Sequence, residues 1–392
     1  MTKIPVLIVI SPILSGVVSW ALRVRDAFAR NATYEVRLVS LGGGDDGTMR
    51  FDYSYDDPRR IIRLMEHLGS GVIVPNYLWG LHDLIGEAIA AGSDWRILGY
   101  CRADSKQEYY DPLLQRADLI SHFVAVSPVC ASTLQSVLPE RREDITMLPT
   151  GVDRAADPSG NETVGPLRLT WAGRVVQHQK RVLDLALIAH RLDERSVDYE
   201  LQIVGDGEER VLLQQCLTEQ CAQGRVKFCG RVPPGQMHEI WRATDVVLLC
   251  SEFEGTSNSI LEAMGCGCVP VVTRTDSGVE GIVDQGVNGL LFEIGDVPAA
   301  VDHLQYLASN SEFMRNARRA AWESVAPFSI ENHAAVLLQL FDRLMQHPPR
   351  RQQVTQHVAA TALSRAAARR SAVMGRCRSI ARRIWDACCG RE

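Results

Sequence analysis

Residues 247–273 read VLLCSEFEGTSNSILEAMGCGCVPVVT. VLLC is a short apolar run of strand length, EFEGTSN a polar loop, SILEAMGCG a two-turn helix closed by glycine, and VPVVT the next strand. In a parallel sheet the loop lies at the carboxyl end of its strand, and the first helical turn points at whatever binds there. Gly255 permits close backbone approach. The amides of Thr256, Ser257 and Asn258 are candidate phosphate donors, because the first N–H groups of a helix lack intrahelical partners. Glu254 precedes the helix and Glu262 lies inside it, eight residues on, so the two carboxylates can reach different parts of one elongated ligand. Such a loop suits a sugar joined through phosphate to a nucleoside. The same residues also permit a purely structural helix start: Ser259 and Glu262 have capping-box spacing, and Thr256 or Ser257 can cap.

Outward from this stretch the chain alternates strand and helix. Leu167–Ala172 reads as a strand, Arg181–Leu192 as a helix and Tyr199–Val204 as a strand. Between the first two lies WAGRVVQHQKR, whose Arg174 and Lys180 place a planar fork and a mobile point charge where they can meet a diphosphate; a solvated basic loop is the alternative. Gly205-Asp206-Gly207-Glu208 is a glycine-rich strand exit. Arg231, in the turn after the strand Lys227–Cys229, is a further donor-binding candidate. Met237–Ala243 reads as a short helix, Val246–Cys250 and Val269–Thr273 as strands, and Asp276–Glu280 as a turn that can close a pocket.

The amino-terminal part repeats the alternation. Strands are expected at Val6–Ile10, Val36–Leu41, Val72–Pro75, Arg96–Tyr100 and His122–Val126. Helices are expected from Gly16 to about Ala29, at Arg59–Leu68 and at Leu81–Ala91, giving an open parallel sheet covered on both faces. The run from Ile4 to Leu22 is broken by Ser11, Pro12, Ser15 and Gly16, so it reads as a buried strand, turn and helix rather than an export or membrane segment. Gly16 can admit a phosphate at its turn. At the end of the Arg96–Tyr100 strand, Asp104 can position an acceptor hydroxyl and Arg102 can attract an anionic group. His82 and His122 are lesser catalytic candidates.

Composition narrows the function classes. The 392 residues suffice for two domains, and 46% hydrophobic with 23% charged residues is ordinary for a globular protein. The net charge of -5 conceals a basic end: from Arg350 onward there are ten arginines against Asp386 and Glu392, so the preceding body is acidic and nucleic acid is not an expected partner. Eleven scattered cysteines suit buried thiols in a reducing compartment, and Cys266-Gly-Cys268 has no second knuckle for zinc. Neither a Walker loop nor a dinucleotide fingerprint is present.

GRVVQHQKR together with EGTSNSILEAMGCGCVPVVT resembles the retaining family-4 glycosyltransferases with the GT-B fold, over about residues 4–345. The resemblance implies two Rossmann-like α/β domains facing an interdomain cleft, and composition adds a basic C-terminal helical tail. The divisions expected are 1–150 for acceptor binding, 151–166 as linker, 167–325 for the nucleotide-sugar donor, 326–347 as a closing helix and 348–392 as a basic amphipathic or partly disordered tail. It also implies that Arg174 and Lys180 contact the donor diphosphate, that Glu254 lies near the transferred sugar and that Glu262 holds the ribose. Gly16 matches the second residue of a paired-glycine turn, with Ser15 in place of the first. Arg181 follows Lys180 where glycine is commoner. Many relatives carry a histidine at the loop occupied here by Cys101–Ser105, and Asp104 stands as its local substitute.

The expected reaction is transfer of a sugar from a nucleotide-diphosphate sugar to a sugar, polysaccharide or lipid-linked hydroxyl acceptor, without cofactor or essential metal, in the cytoplasm. Val373, Cys377, Ile380, Ile384 and Cys388, flanked by Arg376, Arg382 and Arg383, form a stripe that can lie on an anionic membrane at its inner face or meet a protein partner. A sugar-nucleotide epimerase and a non-catalytic nucleotide-sugar-binding scaffold are the alternatives.

Overall fold

The computed structural model describes residues 2–11, 16–42, 51–158, 165–254, 257–275, 279 and 281–351. The C-terminal stripe therefore lies outside the described residues. The chain divides into two compact units, each built on one parallel sheet.

The first unit carries β1 (Ile4–Ile10), β2 (Tyr34–Leu41), β3 (Tyr53–Tyr55), β4 (Ser70–Val74), β5 (Asp94–Cys101), β6 (Ile120–Ala125) and β7 (Ile145–Met147). Their order is β3-β2-β1-β4-β5-β6-β7, with every pair parallel. β1 is an unbroken apolar run, IPVLIVI, because both of its faces are covered. On one face the helix Gly16–Phe28 buries Val18, Trp20, Ala21, Val24 and Phe28, a helical spacing that supplies one apolar stripe. The helix Ile330–Met345 returns to the same core: Phe341 meets Phe28 and Tyr34 at 5.5 Å between ring centroids, and the Tyr34 hydroxyl donates to Asp342 at 2.8 Å. On the other face the helices Arg59–Leu68, Trp79–Ala90 and Pro128–Val137 cover a second apolar cluster that includes Ile61, Ile85, Trp95 and Leu134.

The second unit carries β8 (Leu167–Ala172), β9 (Tyr199–Val204), β10 (Val226–Gly230), β11 (Val246–Leu249), β12 (Val269–Thr273) and β13 (Leu290–Phe292), in the order β10-β9-β8-β11-β12-β13 and again all parallel. At the amino ends of β8 and β11 the buried Asp245 accepts from the Arg168 backbone and guanidinium and from Arg318. Burial opposes the charge of Asp245, but these bonds outweigh it and hold the carboxyl below its ordinary range.

Both sheets reverse direction of growth once, between β1 and β4 and between β8 and β11. At such a switch point the loops leaving the two central strands diverge, and a crevice opens outside the carboxyl ends. The loops after β8 and β11 are those that carry Arg174, Lys180 and Glu254.

Candidate functional site

After β8 the chain makes one helical turn, Gln177–Lys180, and then turns left-handed at Arg181 (φ 46°, ψ 44°) before the helix Asp184–Glu194 begins. This corrects the expectation of one helix from Arg181 to Leu192. Glycine adopts that conformation without steric cost, whereas a side chain does not. Here the arginine is held there by Asp184, at 2.8 Å from Nε, and by Glu252, at 3.1 Å from Nη1.

The turn delivers Lys180 to the loop after β11. Lys180 Nζ lies 2.5 Å from Glu254 Oε1, and the Ser251 hydroxyl donates to the same oxygen at 2.6 Å. The pair is largely withdrawn from water, with Glu254 6% exposed and the Lys180 side chain 12%. Arg174 is exposed, and its Nη2 donates to Gln179 Oε1 at 2.8 Å. Among the described residues it forms no ion pair, so its charge is not cancelled locally. Gln179 ties the two loops together: its carbonyl accepts from the Glu252 amide at 2.8 Å and its side-chain amide faces the Phe253 carbonyl at 3.5 Å. Arg174, Lys180 and Glu254 are thus gathered at one switch point, beside the exposed ring of Phe253.

Glu262 lies in the helix Asn258–Gly265 and accepts from the Trp241 indole at 3.3 Å. Arg231, with its side chain 61% exposed, faces Asp206 at 3.7 Å, and Asp206 also meets Arg210 at 3.6 Å. The glycines of the β9 exit are required by close packing: a Cβ at Gly205 would lie 1.8 Å from the Gly173 carbonyl oxygen, and one at Gly207 2.3 Å from that of Val175. Ser257 is buried and Asn258 opens its helix. Gly255 and Thr256, together with Asp276–Gly278 and Glu280, lie outside the described residues.

The remaining candidates belong to the first unit. Gly16 is the first residue of its helix, and residues 12–15 before it lie outside the description. Asp104 is exposed and accepts from the Tyr110 hydroxyl at 2.7 Å. The chain beyond it forms helical turns at Lys106–Tyr110 and Asp111–Leu114 that the sequence reading did not anticipate. His82 and His122 are buried, and burial pushes each down to about 4. His82 Nδ1 bonds to the Leu78 carbonyl and His122 Nε2 to the Thr146 hydroxyl. Both are neutral packing groups at pH 7.

Sequence reasoning passed over Ser251, Gln179 and Glu252. Each lies inside a quoted motif, but Gln179 and Glu252 act through bonds between loops some 70 residues apart in sequence, such as Gln179 with Phe253 (74 apart), and Ser251 through the fold of its own loop, where it donates to Glu254. Among the described residues no group of three His, Cys, Asp or Glu could hold a metal ion.

With this geometry established, known proteins supply a context. Residues 166–310 match the family model described as Glycosyl transferases group 1. The pneumococcal O-GlcNAc transferase GtfA, solved in complex with UDP and GlcNAc, superposes with a TM-score of 0.70 at 12% identity, over 88% of this chain and 100% of that one. The fold is GT-B. In sequence, N-acetyl-alpha-D-glucosaminyl L-malate synthase of Bacillus anthracis is 33% identical over 146 residues, 37% of each chain. The lipopolysaccharide core biosynthesis glycosyltransferase LpsE of Rhizobium meliloti is 35% identical over 141 residues, 36% of this chain and 41% of LpsE. The chain thus spans about two fifths of the length of these curated relatives. Arg174, Lys180, Glu254 and Glu262 all fall inside the matched segment.

Proposed function

We propose that this GT-B protein is a retaining glycosyltransferase of family 4, moving a sugar from a nucleotide-diphosphate sugar to a hydroxyl acceptor in polysaccharide or glycoconjugate biosynthesis. The observation that carries the reading is the grouping of Arg174, Lys180 and Glu254 at the switch point of the sheet whose sequence matches the glycosyl transferase model. The relatives' names speak for transfer over epimerisation, and the bound UDP of GtfA supports a uridine diphosphate sugar as the first donor to test.

The chemistry follows from charge. A departing diphosphate gathers negative charge as the sugar carbon loses it, and Arg174 with Lys180 would stabilise that charge most where water is excluded. The acceptor hydroxyl would approach the face from which the phosphate leaves, and a phosphate oxygen would take its proton. Glu254 would hold the transferred sugar and Glu262 the ribose, with Asp104 aiding the acceptor and Gly16, Arg231 and the 255–258 loop lining the donor. The cations do the neutralising, so the reaction is proposed to need no divalent metal and to run in the cytoplasm, where nucleotide sugars are made. Residues 1–150 would take the acceptor and 167–325 the donor, with the basic tail available to an anionic membrane surface.

The test is donor binding in metal-free buffer with and without magnesium, followed by product analysis. Glu262→Ala should weaken donor binding by about tenfold or more, the loss expected when a half-buried hydrogen-bonding carboxylate is removed. Glu254→Ala should instead lower turnover, by about 100-fold, for a donor-proximal group acting in the transition state. Folded variants with unchanged affinity and unchanged turnover would overturn the assignment, and inversion of the anomeric centre in the product would overturn the retaining reading.

A further inference from the structure

The switch point of the first sheet holds a cation that has no acid partner among the described residues. Arg102 leaves the end of β5, and its Nε and Nη2 both donate to Asn76 Oδ1, at 2.9 and 2.7 Å. Asn76 follows β4. It is buried, sits at φ 46°, and spends its amide nitrogen on the carbonyls of Val9 at 2.8 Å and Val74 at 3.4 Å. Those two bonds fix which way the amide faces, and so aim its oxygen at the guanidinium.

The guanidinium carbon lies 4.1 Å from the ring centroids of both Trp20 and Tyr100. Trp20 is itself anchored, because its indole donates to His333 Nε2 at 2.8 Å while His333 Nδ1 bonds to the Pro149 carbonyl at 2.8 Å. Among the described residues Arg102 has no carboxylate partner; burial pushes its guanidinium below the ordinary range, and only the phenols of Tyr100, Tyr109 and Tyr77 oppose that shift. Asp104, two residues on, is turned to Tyr110. The third nitrogen, Nη1, makes no hydrogen bond among the described residues, and Arg102 as a whole is half-buried.

A half-buried guanidinium ordinarily takes a carboxylate, because the neutral oxygen of an amide does not cancel its charge. Here two rings, one of them the anchored Trp20 indole, and one amide oxygen fix it in place and leave Nη1 without a hydrogen bond. We propose that Arg102 is an anion-binding subsite and that the acceptor of this enzyme carries a carboxylate or phosphate group that docks on it. The identification of the bound molecule as an acceptor rests on the proposed glycosyl transfer. The anion site itself does not.

The experiment therefore has two arms. In the first, the full chain is titrated with inorganic phosphate and, separately, with succinate, reading the indole ¹H–¹⁵N resonance of Trp20, assigned by its loss in Trp20→Phe. Saturable movement is expected in the wild-type protein, with binding weakened at least tenfold in Arg102→Gln. Asn76→Asp sets a carboxylate against the guanidinium without removing it and is expected to quench binding to the same degree, which keeps the test decisive if Arg102→Gln does not fold. No saturable movement in the wild type, or wild-type affinity in either folded variant, overturns the proposal. Whichever probe binds more tightly tells phosphate from carboxylate.

In the second arm, kcat/KM is compared for matched acceptors with and without the anionic group. Arg102→Gln should lower the ratio of anionic to neutral at least tenfold, whereas a merely structural role would lower both alike. If the wild type binds no nucleotide sugar but phosphate still moves Trp20, the proposed function falls and the anion site stands.

Discussion

The first unit should lose stability in mildly acidic solution, because three of its histidines are buried in the neutral form. His82, His122 and His333 are each pushed down to about 4 from an ordinary 6.5, in every case chiefly by burial. Neighbours adjust each one: Asp83 and Arg116 act on His82, Asp144, Arg141 and Arg343 on His122, and Arg102 on His333. The folded pKa lies below the unfolded one, so the unfolded chain binds the extra protons. The contribution is therefore complete above pH 6.5 and is lost as pH falls toward 4. Between pH 7.5 and 5.5 each histidine should lose about 1.3 kcal/mol, and the three together on the order of 4 kcal/mol. Asp245, depressed below the ordinary carboxylate range, titrates outside this window. The assay is urea unfolding with pulse proteolysis at the two pH values, with fragments assigned by mass to each unit. Peptides of the first unit should become cleavable at markedly lower urea at pH 5.5, and those of the second should shift less. Equal midpoints for the first unit at both pH values would refute the reasoning, as would imidazole resonances of these residues titrating near 6.5.

Two further substitutions probe the second unit. Arg181→Gly should relieve about 1 kcal/mol of left-handed strain while giving up the bonds to Asp184 and Glu252, for a net change within about 1 kcal/mol; Arg181→Ala keeps the strain and loses the bonds, so its melting temperature should fall below that of the glycine variant, and the reverse order would count against the left-handed turn. Asp245→Ala leaves Arg168 and Arg318 facing each other without their shared carboxylate and should cost about 3–5 kcal/mol in urea unfolding; a loss under about 1 kcal/mol would mean that the cluster is solvated.

Much of this architecture was legible because its signals are local. β8, β9 and β12 fall where apolar runs bounded by glycine or polar residues place them, and Arg59–Leu68 where helical periodicity does. The helix Val297–Ser309 was missed although its start is written in the chain, with Asp296 accepting from the Ala299 amide and Pro298 in the first turn. The edge strands β3 and β7 are three residues each, too short for a period to emerge. The site divides in the same way. Residue types and spacing single out Arg174, Lys180, Glu254 and Glu262, but Lys180 bonding Glu254 rather than standing free, or Gln179 bridging two loops, depends on which strands become neighbours. Arg102 shows this most plainly, since its having no carboxylate partner among the described residues depends on which elements pack around it.

The two switch points differ in how their charge is held, and the difference bears on the order of events. At the second sheet Lys180 is already matched by Glu254, whereas Arg174 forms no ion pair among the described residues. A diphosphate entering there must draw Lys180 away from Glu254 or share it. To the extent that it does, Glu254 loses its strongest donor while remaining buried and bonded by Ser251. A buried carboxylate so deprived gains most by accepting from new hydroxyls, and the sugar attached to that diphosphate brings them. Donor binding would in this way ready the carboxylate proposed to hold the sugar. Arg102 at the first sheet needs no such exchange, since an amide oxygen and two rings leave its charge uncancelled beforehand. On the proposed assignments an anionic acceptor would be recognised by the first unit alone, whereas the second would take its sugar only as the diphosphate arrives. On this reasoning removing Glu254 frees Lys180 for the diphosphate, so Glu254→Ala should bind free nucleoside diphosphate at least as tightly as the wild type while losing the preference for the sugar-bearing form.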